Sequence, residues 1–155
     1  MNRRLVNLAI SALLLAPTSF TWAGEVKVLL SPQRQVVKSG EPPRFVVEVM
    51  AIRSPVRIMK FAARDDLRDN YARIRVTQNG KEIDVPRAIS DPGPTGDSAY
   101  ELLLPNQRVS FEHRGTPFLL GRLPPGDYTA IVAVQADWKD PPVASNRAVF
   151  TVLPK

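Results

Sequence analysis

Prolines and turn-forming residues cut this chain into short runs in which apolar and polar side chains alternate, and runs of that length and period make strands rather than helices. Fifteen prolines are spread over 155 residues, about twice the ordinary share of roughly 5%. Inside a helix a proline removes a hydrogen bond and clashes with the preceding turn, whereas a strand end or a sheet edge tolerates it. The run Arg44 to Ile52 shows the pattern most plainly. Phe45, Val47, Val49 and Ala51 fall on one face, and Val46, Glu48, Met50 and Ile52 on the other. In Tyr71 to Gln78 the residues Ala72, Ile74 and Val76 point inward, while Arg73, Arg75 and Thr77 point out. Asn79-Gly80 follows at once. That pair is the preferred filling of a type I′ turn, which needs positive φ at both central residues, so Lys81 to Val85 is the return strand of a hairpin.

Further strands are expected at Val26 to Leu30, Val56 to Ala62, Tyr100 to Leu104, Gln107 to His113, Pro117 to Leu120, Tyr128 to Ala136 and Arg147 to Leu153. Ala62 to Asn70 is the one helical candidate, a turn or two bridging strands. Seven to nine short strands with this punctuation predict an all-β antiparallel sandwich or barrel with at most one short helix.

The N-terminus reads differently. Met1-Asn-Arg-Arg4 is basic, Leu5 to Ala16 is apolar apart from Asn7 and Ser11, and Thr21-Trp22-Ala23 follows the break at Pro17. This is the grammar of a cleaved secretory signal covering residues 1–23. The apolar run falls short of the roughly 20 residues needed to span a bilayer. Its removal leaves residues 24–155 as a single domain and lowers the formal charge from +6 to +4, because Arg3 and Arg4 leave with it. The expected location is the periplasm or outside the cell. The sequence contains no Cys, so neither a lipidated N-terminal Cys nor a disulfide is available, and stability must come from packing.

The segment Leu123-Pro-Pro-Gly-Asp-Tyr128-Thr-Ala130 chooses between sandwich and barrel. A Gly-Asp-Tyr turn running into an alternating strand resembles the tyrosine corner of immunoglobulin-like sandwiches, whose hydroxyl ties the corner to nearby backbone. Gly40-Glu-Pro-Pro-Arg-Phe45, Leu104-Pro-Asn-Gln-Arg-Val-Ser-Phe111 and the closing Ser145-Asn-Arg-Ala-Val-Phe-Thr-Val152 extend the likeness over most of the chain after the signal. Together they resemble a bacterial immunoglobulin-like domain, with the intracellular proteinase inhibitor-type sandwich as the nearest shape. What the resemblance implies is the fold, and function must be argued from the site.

Several chemistries lack their residues. His113 is the single histidine, and on its strand it shares a face with Val109 and Phe111, opposite Ser110. A nucleophile needs its base within hydrogen-bond reach, so those two cannot form a pair within the strand. No Gly-x-Ser-x-Gly elbow occurs. One His, no Cys and two methionines after the signal, Met50 and Met59, do not compose a zinc or copper shell. Asp65, Asp66, Asp69 and Asn70 alternate with Arg64 and Arg68, without the glycine and terminal Glu of a calcium loop, and read as a solvated turn. No cofactor and no metal is expected, and catalysis is not. The arginines are interleaved with acids rather than clustered with stacking aromatics, so nucleic acid is not the expected partner.

What remains is contact with another protein. Trp138, in the polar and proline-rich turn 137–143, is the expected apolar anchor, because buried tryptophans dominate interface energetics. Arg73 and Arg75 are the expected polar contacts, able to receive a carboxylate or phosphate bidentately. Pro86 to Ser98 is thirteen residues without evident secondary structure, long enough to suggest a functional finger and an inhibitor as the rival reading. A small hydrolase would require His113 beside a Ser or carboxylate in a concave pocket.

Overall fold

The computed structural model describes residues 25–62, 70–83, 96–113, 120, 122–136 and 140–155. The signal segment, most of the Ala62–Asn70 turn, Val85, Pro117–Phe118–Leu119, most of the Pro86–Ser98 loop and Trp138 lie outside the described residues. The described residues form eleven strands: β1 (Val26–Pro32), β2 (Val36–Lys38), β3 (Phe45–Ala51), β4 (Val56–Met59), β5 (Ala72–Gln78), β6 (Lys81–Ile83), β7 (Tyr100–Leu103), β8 (Arg108–His113), β9 (Gly126–Val134), β10 (Val143–Ala144) and β11 (Ala148–Leu153). One turn of 3₁₀ helix at Asp97–Ala99 closes the Pro86–Ser98 segment. The protein is all-β. The strands not anticipated, β2 and β10, are three and two residues long, too short to carry a period.

Three sheets form. One is β1-β3-β8; the second runs β2-β11-β9-β5-β6, with β10 also beside β9; the third is the ribbon β4-β7. The pairings of the described strands are antiparallel except that of β2 with β11, which is parallel. The chain changes sheet between β1 and β2, so β2 meets the last strand without a hairpin between them.

Local sequence accounts for the strands it builds. In β3, Phe45, Val47, Val49 and Ala51 are buried while the residues between them are half-buried, as a pleat with one face on a core demands. At the β5–β6 turn, Asn79 has φ 50° and Gly80 φ 76°, the left-handed pair of a type I′ turn. Gly126 opens β9 at φ 149°, where a Cβ would run into the Gln78 side-chain amide.

The two larger sheets share one hydrophobic core. Phe45 of β3 meets Phe150 of β11 edge-on with ring centroids 5.5 Å apart, and Phe150 stacks on Tyr128 of β9 at 5.3 Å. Phe61 stacks on Phe111 at 5.0 Å. Each such side chain contributes about 1.5–3 kcal/mol by leaving water. Polar ties support the packing. The Asn146 side chain accepts from Leu30 N–H at 2.8 Å and donates to Leu30 C=O at 3.0 Å, clamping the edge of β1. The Tyr128 hydroxyl donates to the Pro124 carbonyl at 2.6 Å; this is the bond expected of a tyrosine corner. Burial raises the Tyr128 pKa above its ordinary 10.0.

Candidate interaction surface

His113 is buried at the end of β8, and its Nε2–H donates to the Ala72 carbonyl at 2.7 Å. The bond ties β8 in one sheet to the first residue of β5 in the other. Ser110 is exposed on the opposite face of β8. A surface cleft of about 340 Å³ is lined by Gln33, Arg34, Val37, Glu41, Pro42 and Arg44; the imidazole is not among them. Among the described residues, no three His, Cys, Asp or Glu side chains converge as metal ligands. No described helix is long and apolar enough to cross a membrane.

The outward faces of the two larger sheets differ in chemistry. On the β1-β3-β8 sheet, charges satisfy one another across strands. Arg108 pairs with Glu48 at 3.7 Å, Arg44 pairs with Glu112 at 3.6 Å, and the Gln33 amide donates to Glu112 at 3.2 Å. Pairs this exposed contribute little to stability, but they put paired charge on that face.

The β2-β11-β9-β5-β6 sheet presents apolar side chains instead. Val149 of β11 is 60% exposed, Val36 of β2 51% and Leu153 of β11 44%. Register places Val149 beside Thr129, Thr129 beside Thr77, and Thr77 beside Glu82, so one row crosses four strands. The next row sets Ile131 of β9 against Arg75 of β5, and the one beyond sets Ala133 against Arg73. Ile131 and Ala133 are half-buried. Residues i and i+2 of a strand share a face, so these rows form one continuous surface.

Both arginines expected from the sequence stand on this surface, and both are exposed. Arg75 reaches Glu82 at 4.0 Å, at the limit of an ion pair. Arg73 donates from Nε to the Asn70 carbonyl at 3.3 Å and has no carboxylate partner among the described residues. Sequence reading missed Arg147. It precedes β11 by one residue, is exposed, and follows the alternation that puts Val149 outward. Because Ala148 pairs with Ala130, Arg147 comes beside Ile131 from the side opposite Arg75. The alternation of Arg147 with Val149 was legible, but its proximity to Arg75 depends on β9 lying between β5 and β11. On the acidic side, Asp127 accepts from the Thr151 hydroxyl at 2.6 Å.

Trp138, the expected anchor, lies outside the described residues; the turn carrying it is tied at both ends. Gln135 N–H donates to the Tyr71 carbonyl at 2.8 Å, and the Gln135 side chain donates to the Asp140 carbonyl at 2.8 Å. These bonds bring the flanks of the turn to the end of β5 that carries Arg73. A second exposed apolar group, Ile52, Leu102 and Leu104, lies where the β7–β8 turn bonds to Ala51 through Asn106 N–H. There Arg57 of β4 covers the Tyr100 ring at 4.0 Å and pairs with Asp97 at 2.5 Å.

No protein-family model matches the chain, and no curated protein matches it. Among solved structures it is similar to the sporulation control protein Spo0M from Bacillus subtilis, with a TM-score of 0.48 and 11% identity over 83% of this chain and 49% of that one. It is also similar to the alkylpurine DNA glycosylase AlkC of Pseudomonas fluorescens, bound to DNA containing an abasic site analog. There the TM-score is 0.42 and the identity 13%, over 83% of this chain and 30% of that one. The chain thus spans half or less of the length of these proteins, and likeness at this level carries neither family nor function.

Proposed function

We propose that this chain is an exported, non-catalytic immunoglobulin-like β-sandwich that acts by protein contact in the periplasm or outside the cell, through the outward face of its β2-β11-β9-β5-β6 sheet. The observation that carries the reading is the contrast between the two outward faces. One carries cross-strand ion pairs, whereas the other exposes Val36, Val149 and Leu153 and, further along the same sheet, Arg73, which has no carboxylate partner among the described residues. Exposed apolar area rimmed by polar groups is the signature of an interaction site.

The sandwich reading draws on strand order. In immunoglobulin domains the first, second and fifth strands share one sheet, and the third, sixth and seventh share the other. With β5 taken as the third strand, β9 as the sixth and β11 as the seventh, the order β1-β3-β8 against β11-β9-β5-β6 follows that plan. The tyrosine then falls near the start of the sixth strand, where the corner belongs. The non-catalytic reading draws on His113, whose ring is committed to the Ala72 carbonyl. Export draws on the basic, apolar and small-residue grammar of residues 1–23.

The test is chemical crosslinking in the native extracytoplasmic fraction with wild type, Val149→Asp and Leu102→Asp. Loss of the crosslinked partner in Val149→Asp alone, at unchanged thermal stability, supports the reading. Capture lost only in Leu102→Asp moves the interface to the β4-β7 ribbon and rejects it. Export is tested separately, since the exported form should begin at or near Gly24; an exported chain that retains residues 1–23 would contradict a cleaved signal.

A further inference from the structure

Deepening the proposed contact face, and resting on it, we infer that the arginines Arg73, Arg75 and Arg147, grouped around Ile131 and Ala133, select a protein partner that presents carboxylates around an apolar side chain. Ile131 stands on the middle strand of three, with Arg75 on the β5 side and Arg147 on the β11 side. Neighbouring strands lie about 4.8 Å apart and alternate residues about 6.8 Å apart. The three arginine Cα positions therefore stand around a half-buried isoleucine at mutual spacings of roughly 7–12 Å. Guanidinium groups receive carboxylates bidentately, in a fixed plane.

Among the described residues, the acids on the same face do not balance this group. Asp127 is engaged by Thr151, and Glu82 on β6 lies 4.0 Å from Arg75. Arg73 and Arg147 have no carboxylate partner among the described residues. Lys38, in register with Leu153, adds a further cation along the β2 side. A surface with an apolar centre and surplus positive charge attracts its opposite: carboxylates at the rim and an aliphatic group at the middle. Arginine is preferred at such positions because its guanidinium is weakly hydrated and loses little on desolvation.

The probe is a ten-residue peptide of alternating Glu and Leu, titrated at low salt into the isotope-labelled full chain and followed by amide chemical shifts. A Lys/Leu peptide and phosphatidylglycerol vesicles serve as comparisons. The inference predicts shifts at Arg73, Arg75, Ile131 and Arg147 with the Glu/Leu peptide and none there with the Lys/Leu peptide. It also predicts at least tenfold weaker binding in the double variant Arg73→Gln/Arg147→Gln at unchanged circular dichroism, and weakening of the wild type as salt rises. Shifts centred on Arg34 and Arg44, equal response to both peptides, or a response to the vesicles alone would each overturn it. Capture of the native partner separates this inference from the reading beneath it. If Val149→Asp abolishes capture while Arg73→Glu/Arg147→Glu leaves it intact, the acidic partner is rejected and the contact face stands. If capture survives Val149→Asp, the contact face is rejected, and the peptide result alone decides the arginines.

Discussion

Asn146 makes an interaction between residues 116 positions apart in sequence, closing the edge of β1 with a side chain where a neighbouring strand would otherwise supply backbone groups. Its oxygen accepts from Leu30 N–H at 2.8 Å and its nitrogen donates to Leu30 C=O at 3.0 Å. Replacing it with Ala deletes both bonds. Each is worth about 0.5–1.5 kcal/mol net, and because Asn146 is itself exposed, water recovers part of the loss. We therefore expect Asn146→Ala to destabilise the fold by about 1–2 kcal/mol, a fall in Tm of roughly 4–10 °C for a domain of this size. Asn146→Asp is the sharper perturbation. Its carboxylate still accepts from Leu30 N–H but turns an oxygen toward the Leu30 carbonyl, replacing attraction with repulsion. At neutral pH it should be no more stable than Asn146→Ala, and it should gain on that variant below about pH 4, where a protonated carboxyl can donate. Urea unfolding followed by circular dichroism, with hydrogen exchange at the Leu30 amide, reads both effects. Wild-type stability in Asn146→Asp at pH 7, or unchanged Leu30 exchange in Asn146→Ala, would refute the clamp.

Two further substitutions test the corner and the histidine. Tyr128→Phe keeps the stack on Phe150 and loses the hydroxyl bond to Pro124, which should cost about 1 kcal/mol. Because burial raises the folded-state pKa of Tyr128 above 10.0, the folded chain holds that proton after the unfolded chain has released it. The tyrosine's stabilisation is thus complete below about pH 10 and is lost as pH rises through the folded pKa. The stability gap between wild type and Tyr128→Phe should narrow above pH 10, and a gap that widens there would contradict the burial. His113→Ala removes the bond to the Ala72 carbonyl and leaves a cavity; we expect a loss of about 2–4 kcal/mol with partner capture retained in the folded fraction. Abolished function at unchanged stability would assign the imidazole to chemistry instead.

The parts of the fold that sequence revealed are those with a local cause. Phe45 to Ala51 alternates because one face of β3 is buried, Asn79-Gly80 is a turn because its backbone demands positive φ, and the Gly-Asp-Tyr corner carries its own hydrogen bond. The parts it did not reveal are fixed by distant partners. Val36–Lys38 becomes a strand because β11 is beside it, and nothing within three residues announces a parallel pairing. Asn146 reads as an ordinary loop residue until Leu30 is placed next to it. The same distinction governs the surface. Arg73 and Arg75 were legible as an outward pair from the alternation of β5. Arg147 joins them only because β9 brings the two flanking strands within reach, a fact of topology rather than of spacing. His113 was correctly set apart from Ser110 by alternation, while its bond to Ala72 depends on the packing of two sheets.

The most direct measurement of the proposed contact face is site-specific photocrosslinking in the native cell, with a photoreactive amino acid placed in turn at Val149 and at Arg108. Val149 lies on the exposed apolar face and Arg108 on the charge-paired face of the other sheet. The account predicts a discrete crosslinked protein from position 149 and none from position 108. A product from position 108 with none from position 149 would contradict it.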